Sequence, residues 1–218
     1  MFVVDKKPKS IAAESYRTLR TNIQYSSFDK EYKTIVVTSS EPGEGKSTTS
    51  GNLALAMSQG ENKVLLIDCD MRKPSLHKKF RMSNNHGLAE LLLHRKTMED
   101  VAVKYNENLV VVPAGKIPPN PSEMLGSKAM SEFLEEMKKH FDYIIMDTPP
   151  IGAVTDSQVL STKVDGTILV VKAGQTKKDV VMNSVNAIKK VNGNLIGTVL
   201  NGVEQSKNKY YYYYGEEK

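Results

Sequence analysis

The sequence is poor in cysteine, in long apolar runs and in the features of a leader peptide. Its single cysteine, Cys69, excludes a disulfide within the chain and also excludes zinc or iron–sulfur sites built from several thiolates. No apolar run approaches the roughly 18 residues that predict a transmembrane helix. The N-terminal stretch MFVVDKKPKS lacks the apolar core of a signal peptide. These absences predict a cytoplasmic protein.

The composition is that of an ordinary globular protein. The 218 residues suit one domain that can bury a sizeable core without disulfides, and 39% of them are apolar. The net charge of +5 favours phosphate-rich ligands, anionic lipid headgroups or nucleic acid, but it does not choose among them.

Short runs of β-branched residues alternate with helix-length segments along most of the chain. The runs are continuously apolar, as in parallel strands that are covered on both faces. This alternation predicts an α/β fold with a mostly parallel central sheet and helices on both faces. Strands are predicted at 34–38, 63–67, 108–112, 143–146, 167–171 and 195–200, and helices at 46–59, 87–94, 122–139 and 177–191.

A further helix is predicted ahead of the first strand, over residues 10–23. Its apolar residues form one stripe, and charged residues at i, i+3 spacing form a roughly opposite face that suits either solvent or a partner subunit. The stripe consists of Ala12, Tyr16, Leu19 and Ile23, and the charged face consists of Glu14, Arg17 and Arg20.

The C-terminal tail differs in character from the rest of the chain. From Glu204 the periodicity ends, and five consecutive tyrosines stand between polar segments, which predicts a disordered and exposed tail. The chain therefore divides into an N-terminal segment (1–30), a central domain (31–203) and a tail (204–218). The clustered tyrosines are Tyr210, Tyr211, Tyr212, Tyr213 and Tyr214.

A phosphate-binding loop, or P-loop, follows the first predicted strand and precedes a helix. Gly43 and Gly45 let the backbone turn its N–H groups toward phosphate oxygens, and the helix N-terminus adds its positive end. Lys46 offers a cation to the β- and γ-phosphates, and Ser47 offers a hydroxyl ligand to Mg²⁺. The usual first glycine of this pattern is Ser40 here. The segment predicts an ATP and Mg²⁺ site built from Pro42, Gly43, Glu44, Gly45, Lys46, Ser47 and Thr48.

Acidic residues follow two other predicted strands. Asp68 and Asp70 stand at the end of one apolar run, and Asp147 ends another in the Walker B form, which holds Mg²⁺ directly or through water. Because α/β sheets bind ligands at the carboxyl ends of their strands, these acids are expected to meet the P-loop. The predicted catalytic residues are Lys46, Asp68, Asp70 and Asp147, and the predicted metal ligands are Ser47, Asp70 and Asp147.

With these motifs in place, nearly the whole chain resembles the bacterial tyrosine kinases that control capsule and exopolysaccharide synthesis. The resemblance includes the box DCDMR at 68–72, the segment PNPSEML at 119–125 and the tyrosine cluster. The segment 14–20 is similar to the E-x-x-R-x-x-R motif that this family uses for oligomerisation. The signature sequences of eukaryotic protein kinases are absent from the chain.

The resemblance implies an ATP-dependent protein tyrosine kinase that phosphorylates its own tail, with the cluster of one subunit entering the site of the next. It implies that Asp68, or alternatively Asp70, accepts or orients the tyrosine hydroxyl, whose ordinary pKa is near 10. Asn201 is expected either to touch the purine or to form an ordinary strand-end turn. The implied partners are identical subunits in a ring, protein tyrosine substrates, and a separate transmembrane activator that recruits the kinase to the inner face of the membrane.

Three other functions are compatible with parts of the sequence. Partition or positioning ATPases share the expected fold, but their P-loop carries an extra lysine where this chain has Glu41. A nucleic-acid-binding module could use the positive charge, but the sequence shows no recognition motif, so nucleic acid is not expected as a partner. A small-molecule kinase of similar fold fits the same motifs.

Overall fold

The computed structural model describes residues 2–26 and 31–204, and within them seven strands form one sheet. The predicted disorder of the tail and the five clustered tyrosines lie outside the described residues, as does the predicted boundary at residue 30. The strands are β1 Thr34–Ser39, β2 Val64–Asp68, β3 Val103–Lys104, β4 Leu109–Val112, β5 Tyr143–Asp147, β6 Gly166–Lys172 and β7 Leu195–Asn201.

The sheet has the order β3-β4-β2-β5-β1-β6-β7 and is parallel apart from the pairing of β3 with β4. The predicted fold class and all six predicted strands are confirmed. The additional strand, β3, has only two residues, and both are exposed, so it gives no apolar run in the sequence.

Most predicted helices are present with shifted ends, and several shorter ones were not predicted. A helix of four to six residues gives too few turns for an apolar period to be recognised. The helices are α1 Val3–Lys6, α2 Ile11–Tyr25, α3 Lys46–Ser58, α4 Leu76–Phe80, α5 Leu88–Leu92, α6 Met98–Val101, α7 Pro121–Gly126, α8 Lys128–Met137, α9 Asp156–Ser161 and α10 Lys178–Lys190.

The single helix predicted at 122–139 is wrong, because the chain breaks there into α7 and α8. The break lies at Ser127, whose backbone is extended and whose side chain accepts a hydrogen bond from the N–H of Met130 at 3.2 Å. A serine that accepts in this way satisfies a free N–H of the following helix, and it therefore favours a new start over a continuous helix.

The predicted apolar stripe of α2 is confirmed at three of its four residues, and only its first member is wrong. Ala13 and Ile23 are buried, whereas Ala12 is exposed. Tyr16 and Leu19 pack against the core that α2 shares with α3, as predicted. Arg20 is half-buried, and its contacts are described below.

The N-terminal helix α1 is anchored on α3 by an aromatic ring. The Phe2 ring lies where a side chain on Gly51 would project, since a Cβ built on Gly51 would be 2.1 Å from Cε1 of Phe2. The backbone N–H of Val4 donates to Asn52 Oδ1 at 3.0 Å, and the Phe2 and Phe80 ring centroids are 4.5 Å apart. Phe2 thus joins α1, α3 and α4.

We predict that Gly51→Ala has opposite effects on stability with and without the Phe2 ring. In the wild-type background the new Cβ must displace the ring, which should lower the free energy of unfolding by about 1–2 kcal/mol. In a Phe2→Ala background the same substitution should raise it by up to about 1 kcal/mol, because alanine favours helix over glycine. Urea denaturation of the four proteins measures both effects, and a change of the same sign in both backgrounds would contradict the packing assigned here.

Candidate functional site

The P-loop connects β1 to α3 and requires glycine at two positions. Gly43 and Gly45 have φ of 86° and 96°, in the left-handed region that glycine adopts at little cost. A Cβ on Gly45 would also lie 2.1 Å from Nδ2 of Asn201. The turn brings the chain directly into α3, which begins at Lys46.

Three adjacent central strands bring the predicted catalytic residues together. The P-loop follows β1, Asp147 ends β5 beside it, and Asp68 ends β2 in direct register with Asp147. The Lys46 amino group lies 2.8 Å from Asp70 Oδ2 and 3.9 Å from Asp147 Oδ1. Burial lowers the pKa of Lys46, but the neighbouring carboxylates of Asp147, Asp70 and Asp68 outweigh it and raise the pKa overall.

Asp147 is fully buried, and neither of its carboxylate oxygens has a hydrogen-bond partner among the described residues. Burial raises its pKa, and the positive charge of Lys46 opposes that shift. A buried carboxylate without partners is costly unless a cation or ordered water satisfies it. The orphaned oxygens of Asp147 therefore fit the hydrated Mg²⁺ expected of a Walker B acid.

The Asp68 carboxylate lies beneath the cleft and orders the chain that follows it. Its Oδ1 accepts from the N–H of Asp70 at 3.2 Å, and its Oδ2 accepts from those of Ser75 and Leu76 at 3.0 and 2.9 Å. Burial, and then the charge of Asp147, raise its pKa to about 8, against the opposing effect of those backbone donors. Asp68 therefore holds the loop that carries Asp70 and the start of α4.

Glu44 uses its side chain to hold the P-loop, which sequence reasoning did not predict. The side chain is buried, and its Oε2 accepts from the N–H of Glu41 at 2.7 Å. Its Oε1 accepts from the N–H of Lys172 at 3.2 Å and from the hydroxyl of Thr176. The carbonyl of Glu44 accepts from Asn201 Nδ2 at 2.8 Å. One residue thus ties the P-loop to the ends of β6 and β7.

A cleft of about 590 Å³ opens over the P-loop and brings most of the predicted nucleotide site together. Glu44 turns away from it, Asp68 and Asp147 lie beneath it, and Asn201 lies behind the P-loop, so contact between Asn201 and a purine stays a prediction. The predicted residues that line the cleft are Pro42, Gly43, Gly45, Lys46, Ser47, Thr48 and Asp70. Lining residues that sequence reasoning missed include Arg72, Lys73, Ser75, Lys79, Pro149 and Pro150.

Arg72 secures the far wall of the cleft. Its Nε and Nη2 donate to Oδ2 and Oδ1 of Asp156 at 3.0 and 3.1 Å, and Asp156 is fully buried at the start of α9. The hydroxyl of Ser122, in α7, donates to the same carboxylate. A bidentate pair of this kind fixes orientation as well as position. The sequence signal that could have revealed it is Arg72 itself, in the DCDMR box, but its partner stands 84 residues away.

The charged face predicted on α2 is only partly correct. Glu14 is exposed, but Arg17 Nη2 donates to the Pro8 carbonyl at 2.8 Å, and Arg20 Nη1 donates to the Ala56 carbonyl at 2.9 Å. Arg17 Nη1 also pairs with Glu14 at 2.8 Å. Both arginines therefore contact their own chain instead of projecting away from it, because long side chains reach back over the helix to carbonyls.

Metal ligands are few in the part of the chain that the structure describes. No group of three or more histidine, cysteine, aspartate or glutamate side chains is arranged to hold an ion there. Mg²⁺ commonly takes only one or two carboxylates and completes its shell with water and substrate phosphates. Ser47, Asp70 and Asp147 fit that mode.

Among the described helices, none is long and apolar enough to cross a membrane.

Comparison with known proteins gives close relatives over almost the whole chain. Residues 32–199 match a family model described as an AAA domain. The chain is 45% identical to the tyrosine-protein kinase YwqD of Bacillus subtilis, over 96% of this chain and 89% of that protein. It is 41% identical to the putative tyrosine-protein kinase CapB of Staphylococcus aureus, over 98% and 95%.

Solved structures agree with these relatives. The chimerical protein CapA2B2 superimposes with a TM-score of 0.90 at 38% identity, covering 94% of this chain and 90% of that one. The ATP complex of McdA from Cyanothece matches with a TM-score of 0.67 at 23% identity, over 82% and 75%, which shows a shared fold alone.

We predict that Glu44→Gln weakens nucleotide binding about three- to tenfold. The amide keeps one acceptor oxygen, but its NH₂ group would face backbone donors, so the P-loop loses part of its fixation. Glu41→Gln is the matched control, because Glu41 is exposed and uses only its backbone in this contact. Equilibrium binding of ADP measures both variants, and equal affinity in the two would contradict the role given to Glu44.

Proposed function

The chain belongs to the family of bacterial tyrosine kinases, and on that basis we propose that it transfers the γ-phosphoryl group of ATP to the tyrosines of its own C-terminal cluster. The observation that carries the proposal is the placement of Lys46 between Asp70 and Asp147 at the floor of the cleft. A lysine held by two carboxylates beside a P-loop is poised to exchange one of them for a phosphate.

Different residues of the cleft have different roles in phosphoryl transfer. The P-loop N–H groups and Lys46 offset the charge that develops on the transferred group. Ser47, Asp70 and Asp147 would hold Mg²⁺, which when bound supplies positive charge against the phosphates. The protein's own contribution is positioning, since these groups are fixed by three neighbouring strands before any ligand arrives.

Asp68 is our choice for the base that accepts or orients the tyrosine hydroxyl. Its pKa is raised to about 8, which suits a group that takes a proton near neutral pH. Asp70 is the alternative, but it is paired with Lys46 and is needed for the metal. The hydrogen bonds of Asp68 must loosen for it to reach the acceptor, and catalytic contacts often tighten only when the substrate is bound.

The acceptor cluster serves a neighbouring subunit. The described chain leaves the sheet from the outer strand β7, and the cluster begins at Tyr210. The kinase acts on further protein tyrosines, regulates capsular or exopolysaccharide synthesis and export, and depends on a separate transmembrane activator at the inner face of the cell membrane. The family relationship supports these finer statements, and the similarity to the chimerical protein CapA2B2 fits a kinase that works with a partner.

The experiment that tests the proposal is mass spectrometry of the C-terminal peptide after incubation with Mg-ATP. We expect phosphate on Tyr210 to Tyr214 in the wild type and none in Lys46→Met, because loss of the lysine removes the charge that stabilises the transferred group. Asp68→Asn should lose transfer, since an amide cannot accept the proton.

Two results would overturn parts of this account. An unmodified wild-type tail with brisk phosphate release, in the presence of an activator fragment, would favour a positioning-type ATPase. Full transfer by Asp68→Asn would remove Asp68 from the role of base.

The subunits assemble into a ring through the segment that carries Glu14, Arg17 and Arg20. Arg17 and Arg20 fasten α2 to the carbonyl end of α3, so they set the position of the surface that Glu14 exposes. Arg17→Ala/Arg20→Ala should therefore give a smaller species than the wild type in native mass spectrometry. A variant that keeps the wild-type oligomer would exclude this segment from the interface, and Lys128→Ala, on an exposed face of α8, serves as the control.

A further inference from the structure

Lys79 reaches from α4 to the beginning of α3 and lines the cleft on the side of Thr48. Its amino group donates to Thr48 Oγ1 at 3.1 Å. Thr48 stands two residues after Lys46, and positions two apart on a helix do not face each other. The two lysines therefore approach the P-loop from different sides of α3, and both line the same cleft.

The charges around the two lysines differ. Lys46 has two carboxylates within 4 Å, whereas no carboxylate of the described residues 2–26 and 31–204 lies within that distance of the Lys79 amino group. The protein partner of this half-buried ammonium group is a neutral hydroxyl, so no protein anion offsets its charge toward the cleft. It is placed to contact an anion beside Thr48.

The orientation of α4 is fixed, so the position of Lys79 follows from the fold. The Asp68 carboxylate accepts from the N–H groups of Ser75 and Leu76 where α4 begins. Leu76 is fully buried and Phe80 packs against Phe2, which turns the opposite side of the helix outward. Lys79 then faces the cleft, while its neighbour Lys78 is exposed and is not part of the cleft lining.

We propose that Lys79 is a second phosphate-binding cation, which contacts the phosphates that ATP and ADP share. The Lys46 side of the P-loop is adjacent to Asp70 and Asp147, where the metal and the transferred phosphoryl group belong. The Thr48 side of the P-loop is then available to bind the phosphates that stay on the nucleotide after transfer. This inference rests on the proposed function only in taking the ligand of the cleft to be a nucleotide.

The test is equilibrium binding of a fluorescent ADP analogue to the full chain, with displacement by unlabelled ADP and ATP in Mg²⁺ buffer. Lys79→Met keeps an apolar stem of similar length and removes the charge, so affinity for both nucleotides should fall roughly tenfold. Lys78→Met, one residue away on the exposed face, should change both affinities less than twofold. Lys79→Arg should recover most of the loss because it restores the cation.

Several outcomes would overturn the proposal. Wild-type affinity of Lys79→Met for ADP would contradict a contact with the shared phosphates. If the variant then bound ATP alone more weakly, Lys79 would belong at the γ-phosphate. If only the KM for an acceptor peptide rose, Lys79 would contact the acceptor instead. The role of Lys79 would be structural if nucleotide-free Lys79→Met had a lower melting temperature than the wild type and if Lys79→Arg lost as much nucleotide affinity as Lys79→Met. A chain that binds ADP through Lys79 but leaves its tail unmodified would overturn the proposed function and leave this inference standing.

Discussion

The structure depends on the burial of three carboxylates beside one lysine at the carboxyl edge of the sheet. Asp68 and Asp147 are fully buried and Asp70 is nearly so, whereas among the described residues Lys46 is the one cation within 4 Å of Asp70 and Asp147. Removing charges from water costs several kcal/mol per ion unless they are paired. Burial disfavours the charged forms of these acids, and the pKa of Asp68 and of Asp147 is raised as a result. A cation bound here would favour the charged forms, which would couple metal binding to the stability of the fold.

The same carboxylates organise the backbone around them, so the chemistry and the architecture share residues. Asp68 accepts from three backbone N–H groups and thereby positions both Asp70 and the start of α4. Glu44 performs the corresponding task for the P-loop by joining it to the end of β6. The loops at this edge are consequently held by buried acids instead of by helix caps. A preorganised edge of this kind loses little entropy when a nucleotide binds.

Sequence reasoning was most successful for elements that give a continuous apolar run or a motif of neighbouring residues. Strands buried on both faces read as apolar runs, and the motifs at their ends therefore identified the edge where Lys46, Asp70 and Asp147 meet. It failed where the signal is short or distant. The helices α4 and α9 have five and six residues, too few for a period, so sequence reasoning placed neither Lys79 at the cleft nor Asp156 beside Arg72. The contacts of Arg20 were missed because a long side chain can reach a carbonyl that its Cβ does not face.

The N-terminal segment takes part in the geometry of the phosphate site, although it is distant from it in sequence. Phe2 contacts α3 at Gly51 and α4 at Phe80, while Thr48 and Lys79 join the same two helices on the cleft side. The separation of α3 from α4 is thus fixed at two points, one apolar and one polar. Closely packed helices move as rigid units. A change at either contact should therefore displace α4 relative to α3. The position of Lys79 over the P-loop is therefore set jointly by Asp68, at the start of α4, and by Phe2, behind it.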